Sequence, residues 1–110
     1  MTYSFEDNYY YIPKILFQDD YYQDLSIDAI VAYTILKDKQ KDAPSKGWID
    51  SEGNIYLAYR LSEMQKMFGV GKQKMIDIMR MLEEHNLIER EREDVFYGRS
   101  LPYRTYINEI

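Results

Sequence analysis

Lys72, Gln73, Lys74, Ile76, Asp77 and Arg80 fall within nine consecutive residues. Their types suit contact with nucleic acid. Lys72 and Lys74 can neutralise phosphates, and the free N–H groups of a helix beginning at Lys72 would also favour an anion. Gln73 can hydrogen-bond an adenine edge, Arg80 can reach guanine or phosphate, and Ile76 can touch a thymine methyl. Asp77 repels phosphate unless it accepts a hydrogen bond from cytosine. The competing reading is an ordinary solvated helix face.

The surrounding elements favour contact. Met75, Ile78, Met79 and Leu82 lie three and four apart, which predicts a helix over about Lys72 to His85 with one buried stripe. The six residues above, with Met81, are what that stripe leaves wholly or partly outward. Upstream, Ser62 with Gln65 reads as a capping box opening a short helix that ends at Phe68. Gly69-Val70-Gly71 supplies a turn, and Asn86 suits a left-handed helix end. Leu87 to Glu93 alternates as a strand, Asp94 to Pro102 reads as a loop, and Tyr103 to Ile107 as a returning strand. Helix, glycine turn, longer helix and hairpin is the order of a winged helix-turn-helix, whose second helix enters the DNA major groove. In the wing, Arg99 beside Gly98 is placed to reach the minor groove or a phosphate. Arg90 and Arg92 are weaker candidates because cross-strand pairing with nearby glutamates would occupy them.

The first half frames this unit. Met1 to Asn8 is expected to be a frayed arm. Tyr9 to Phe17 is apolar but holds Pro13, so an extended or edge segment that turns helical after the proline is expected. Ser26 caps the next helix, with Asp28 in its first turn and Lys37, Lys39 and Lys41 crowding its end. Ile27, Ile30, Val31, Thr34 and Ile35 form its expected stripe, flanked by Ala29, Tyr33 and Leu36. Residues 47–50 and 54–60 read as two short strands around Ser51-Glu52-Gly53. The expected fold is therefore α+β: a single winged-helix domain over 1–110, with about three helices, a small antiparallel sheet and a β-hairpin wing.

Composition excludes several alternatives. The chain has no cysteine, so disulfides, thiolate metal sites and a cysteine nucleophile are absent. Its one histidine, His85, has no second histidine for a metal or catalytic pair, and no carboxylate pair stands out for acid–base work. Gly69-Val70-Gly71-Lys72 fails as a phosphate loop, since a helix precedes it and Gln73 stands where Ser or Thr would hold magnesium. No enzyme activity, cofactor or metal is expected. No membrane span or signal peptide is evident, so the expected location is cytoplasmic. Net charge is −5, but residues 61–110 carry eight basic and nine acidic groups against six and ten in residues 1–60. Phosphate binding depends on a local basic face rather than on this sum, although the acidity predicts weak non-specific binding.

Several runs also resemble a known family. Tyr11-Ile12-Pro13-Lys14-Ile15-Leu16-Phe17, Leu25 to Ala29, Tyr33 to Asp38, Gly47 to Asp50 with Gly53 and Ile55-Tyr56, and the exit Leu82 to Ile88 are similar to the N-terminal domain of RepA-type replication initiators. These serve theta-replicating plasmids of Gram-positive bacteria. The resemblance implies a winged-helix domain that binds repeated double-stranded DNA sites in a plasmid origin, usually as a homodimer. Full members carry a further C-terminal domain engaging host replication proteins such as primase, so the chain is expected to be a fragment or a short relative. It departs from the family pattern at Gly71, where a capping Ser or Thr is usual, and in its acidity. The Tyr9, Tyr10, Tyr11, Ile12 and Phe17 cluster is the expected dimer interface, against packing on its own domain. Two other functions fit the same pattern: a protein-binding winged-helix module that regulates replication, and a transcriptional repressor.

Overall fold

The computed structural model describes residues 8–91 and 103–110. The expected frayed arm lies almost wholly outside them, as do Arg92, Arg99 and the expected wing loop.

The order of elements is α1 (Ile15–Gln18), α2 (Ile27–Lys39), α3 (Leu61–Phe68), α4 (Lys72–Glu84), β1 (Ile88–Glu91) and β2 (Arg104–Ile107). Pro13 precedes α1, as its fixed φ and missing donor favour; the helix ends at Asp19, whose N–H closes on the Ile15 carbonyl at 3.0 Å and whose carboxylate caps the next turn by accepting the Tyr21 N–H at 2.8 Å. Ser26 caps α2 as its position predicts, its hydroxyl accepting the Ala29 N–H at 3.1 Å.

The face that α2 buries differs from the stripe expected for it. Of that stripe Ile30 and Thr34 are buried, Ile35 is half-buried, and Ile27 and Val31 are exposed, while Ala29, Ala32, Tyr33 and Leu36 complete the buried face. The reason is steric. Packing α2 against both α4 and β2 puts its two small residues, Ala29 and Ala32, at buried positions. Tyr33 can be fully buried because its hydroxyl donates to the Asn108 carbonyl at 2.7 Å. Burial, with Glu109 nearby, pushes that phenol up to about 12.

Residues 47–60 form less regular structure than their β-preferring residues suggest. The expected strand pair reduces to one bridge, Ile49 with Ile55, around a turn built on Asp50, whose carboxylate accepts the Glu52 and Asn54 N–H groups at 2.9 and 2.8 Å. Leu57 instead joins the wing by exchanging two 2.8 Å backbone hydrogen bonds with Thr105.

The capping box at α3 is also shifted. The N-cap is Arg60, and Glu63 reaches back to accept its N–H at 2.9 Å. Ser62 therefore lies inside the helix. A start at Leu61 sets Leu61, Met64 and Phe68 against the core, which a start after Ser62 would not do for Leu61. Gly69 ends α3 at φ +66, with the Val70 N–H closing on the Gln65 carbonyl. Gly71 has an ordinary φ of −74, so the positive-φ argument for this turn applies to Gly69 alone.

The longer helix α4 buries the stripe read for it, Met75, Ile78, Met79 and Leu82. It ends at Asn86, whose φ of +58 lets the Leu87 N–H close on the Leu82 carbonyl at 2.9 Å. The chain then enters β1, antiparallel to β2 in the register Ile88–Ile107 through Glu91–Arg104. The sheet is tied to α4 by Arg90, which donates two hydrogen bonds to Glu83 at 3.0 and 3.2 Å.

Two consequences are measurable. Leu82→Ala should cost about 2–5 kcal/mol in denaturant unfolding, because the side chain is fully enclosed. The Arg90 hydrogen bonds, helped by its charge, lower the Glu83 carboxyl below its ordinary 4.5 against an opposing effect of burial. A carboxyl lowered in the folded state stabilises above its unfolded value and loses that contribution as pH falls through the folded value. The melting-temperature gap between wild type and Glu83→Gln should thus be present at about pH 6 and close below about pH 4. The effect is modest, since the Glu83 side chain is 41% exposed.

Candidate nucleic-acid interface

With one side of α4 buried, its opposite side is determined by helical geometry. Gln73, Asp77, Arg80 and Glu84 follow one another at spacings of three and four residues and are exposed; Ile76 beside them is half-buried. Lys72 and Lys74 are exposed in the first turn. All six residues singled out on this helix therefore reach its surface, and Met81 turns partly inward against the core. Sequence reasoning left out Glu84, which continues the stripe and makes its C-terminal end acidic. The spacing from Asp77 and Arg80 would have found it.

Two neighbours border this face. On one side lies the start of α2: Lys74 Nζ is 2.8 Å from Asp28 Oδ2, and the Ser26 N–H points at Met81 Sδ at 3.3 Å. On the other lies the wing, tied through Glu83 and Arg90. Within the face, Gln73 Nε2 donates to Asp77 Oδ1 at 2.9 Å, and Arg80 Nη1 is 3.7 Å from the same oxygen. Lys74, Asp77 and Arg80 nevertheless keep 54%, 53% and 57% of their side-chain surface open. Exposed pairs of this kind contribute about 0–1 kcal/mol, so they do not lock the side chains.

The N-cap of α4 is Gly71, which supplies no side-chain acceptor. The first N–H groups of the helix are thus left without a side-chain cap, beside two lysines and at the positive end of the dipole. Exposed Lys66 on α3 adds a further cation to this end of the helix pair. Cationic groups gather at the start of α4 and acidic ones at its end, an asymmetry that the net charge of the chain conceals.

Of the wing arginines, Arg90 is occupied structurally, although by Glu83 of α4 rather than by a cross-strand glutamate. Its guanidinium also lies 5.2 Å from the Tyr103 ring centroid. Arg104 sits 4.6 Å from the Tyr56 ring centroid. His85 has a structural setting: Nδ1 is 2.8 Å from the Met81 carbonyl, and its ring lies 5.9 Å from that of Tyr21. Among the described residues, no group of three or more His, Cys, Asp or Glu could hold a metal, and no helix is long and apolar enough to cross a membrane.

Tyr9, Tyr10, Tyr11, Ile12 and Phe17 are all exposed, Phe17 at 59%. Tyr9 to Pro13 share a groove with Thr34, Lys37, Asp38 and Lys41, so the segment lies along α2 of its own domain while much of its aromatic surface still faces outward.

The whole arrangement has counterparts among solved structures. The chain is similar to one described as the N-terminal domain of a DNA-binding protein (TM-score 0.84, 26% identity, 99% of this chain and 83% of that one). It is similar to a Rep–DNA complex (0.83, 26%, 99% and 84%) and to an initiator described as MDR (0.81, 31%, 99% and 86%). A curated relative, a 41 kDa protein of Lactobacillus helveticus, is 29% identical over 97 residues. That match takes in 86% of this chain, which spans 28% of the length of the relative. The family described as replication initiator protein A (RepA) N-terminus matches residues 8–110, and the chain belongs to that family.

Proposed function

We propose that this domain binds double-stranded DNA sequence-specifically, at repeats in a plasmid replication origin, as a step in replication initiation. The observation that carries the reading is the open, cationic start of α4 in a chain superposing along 99% of its length on a Rep protein solved with DNA. Lys72, Lys74 and the uncapped N–H groups behind them meet phosphates. Gln73, Ile76, Asp77 and Arg80 face base edges in the major groove. Arg99, outside the described residues, is the proposed wing contact to the minor groove or a phosphate. The domain acts by binding rather than catalysis, needs no metal or cofactor, and works in the cytoplasm, where plasmid DNA resides. Residues 1–110 act as a single domain.

Half-sites are read by a homodimer, so that the two-fold symmetry of the protein matches paired sites. The aromatic surface of Tyr9, Tyr10, Tyr11, Ile12 and Phe17 supports that pairing, because exposed apolar clusters of this kind favour association. Contacts with host replication proteins belong to any longer initiator that carries this domain.

Two experiments test the reading. Lys72→Ala combined with Lys74→Ala should weaken binding to origin repeats at least about tenfold at low salt, and should flatten the salt dependence by roughly one phosphate contact per lysine. Unchanged binding in a gel-shift titration sinks the proposed face. A Tyr10→Ser, Phe17→Ser variant should sediment as a monomer where the wild type sediments as a dimer. Identical sedimentation of the two would rule out this interface.

A further inference from the structure

The long polar side chains best placed to reach DNA from α4 are already held by carboxylates. Asp28 holds Lys74 at 2.8 Å, and one oxygen of Asp77 takes both the Gln73 amide at 2.9 Å and the Arg80 guanidinium at 3.7 Å. Asp28 comes from the first turn of α2, so its partner is chosen by tertiary packing and not by position along α4. Lys72, by contrast, has no ion-pair partner among the described residues.

We propose that two carboxylates tune the DNA interface, Asp28 restraining its affinity for DNA of any sequence and Asp77 determining specificity, each occupying in the free protein groups that would otherwise go to phosphates and bases. This rests on the reading of α4 as the DNA-contacting helix. Mixed-sequence duplex offers its phosphates as the general source of attraction. To give Lys74 to a phosphate, the protein must release it from Asp28, and the freed carboxylate then stands within a Debye length, about 8 Å, of the phosphate chain. Arg80 faces the same exchange against Asp77. A correct site returns what a random one does not. Cytosine presents an amino donor to Asp77, and adenine presents a donor and an acceptor to the Gln73 amide. Both carboxylates therefore lower the affinity for generic DNA, but only Asp77, which the proper site repays, widens the gap between the two, and specificity is a difference of this kind. The exposure of every partner keeps the exchange reversible.

The test uses the full chain with Asp28→Asn, which preserves side-chain shape in the first turn of α2. Its binding to a labelled mixed-sequence duplex would be followed by fluorescence anisotropy between about 50 and 200 mM salt. Asp28→Asn should tighten that binding roughly three- to tenfold. It should also steepen the salt dependence by up to about 0.9 per phosphate gained. In a Lys74→Ala background the same change should shift affinity by less than about twofold, because the held cation is gone. Asp77→Asn should bring the affinities for origin repeats and mixed-sequence duplex closer together. Unchanged generic affinity in Asp28→Asn overturns the proposal, as does an equal gain with and without Lys74, which would mark a long-range field effect alone. An unchanged ratio in Asp77→Asn removes the role given to that residue. If Lys74→Ala weakens DNA binding while Asp28→Asn is silent, only this inference fails. If Lys74→Ala and Lys72→Ala cost nothing in protein that melts normally, the DNA-contacting face fails and this inference with it.

Discussion

Burial of Met75, Ile78, Met79 and Leu82 along one side of α4 is the constraint from which the rest of the molecule follows. A helix has one rotational setting for a given buried stripe, so enclosing these four residues presents Gln73, Asp77, Arg80 and Glu84 to the outside. The enclosure needs both helical neighbours. From α2 come Ala29, Ile30, Tyr33 and Leu36; from α3 comes Met64, with Leu61 and Phe68 packed beside it. Small residues at Ala29 and Ala32 let α2 lie close, and the one large polar group buried there, Tyr33, is satisfied by a main-chain carbonyl.

The ends of α4 matter as much as its middle. At its start, Gly69 turns the chain through a left-handed conformation and Gly71 leaves the first N–H groups without a side-chain acceptor. At its end, Asn86 takes up positive φ, and its amide group and carbonyl join Tyr21 and Asn108 by hydrogen bonds of 2.7 and 2.8 Å. That junction directs the chain into β1, and the Arg90–Glu83 pair fixes the sheet to the helix it follows. The wing is thus positioned relative to α4 by covalent continuity, a capped helix end and a charge-assisted double hydrogen bond.

Electrostatically the chain is acidic overall, with local groups of cations at the start of α4, Lys72 and Lys74, and about the end of α2, Lys37, Lys39 and Lys41. The pairs that Asp28 and Asp77 form with Lys74 and Arg80 divide the α4 surface into groups held within the protein and one lysine, Lys72, paired with no other described residue. Such a surface attracts phosphate locally while the chain as a whole repels it, a combination that disfavours indiscriminate binding.

Local signals gave much of this. The stripe of α4, the Ser26 cap, the turn at Gly69 and the end at Asn86 are each consequences of residues within about one helical turn of each other, where side-chain periodicity and φ preference act directly. The family was legible too, because its motifs extend along nearly the whole chain. Other features were not local. Which face α2 buries depends on how closely α4 and β2 approach it. The start of α3 depends on Leu61 finding the core, and residues 47–60 remain mostly irregular because their one strong pairing is between Leu57 and the distant Thr105. The sequence by itself therefore determined which residues α4 turns outward. Only the tertiary structure decided which carboxylate meets Lys74 and which glutamate meets Arg90, since those partners are brought together by packing between elements and no spacing along the chain encodes them.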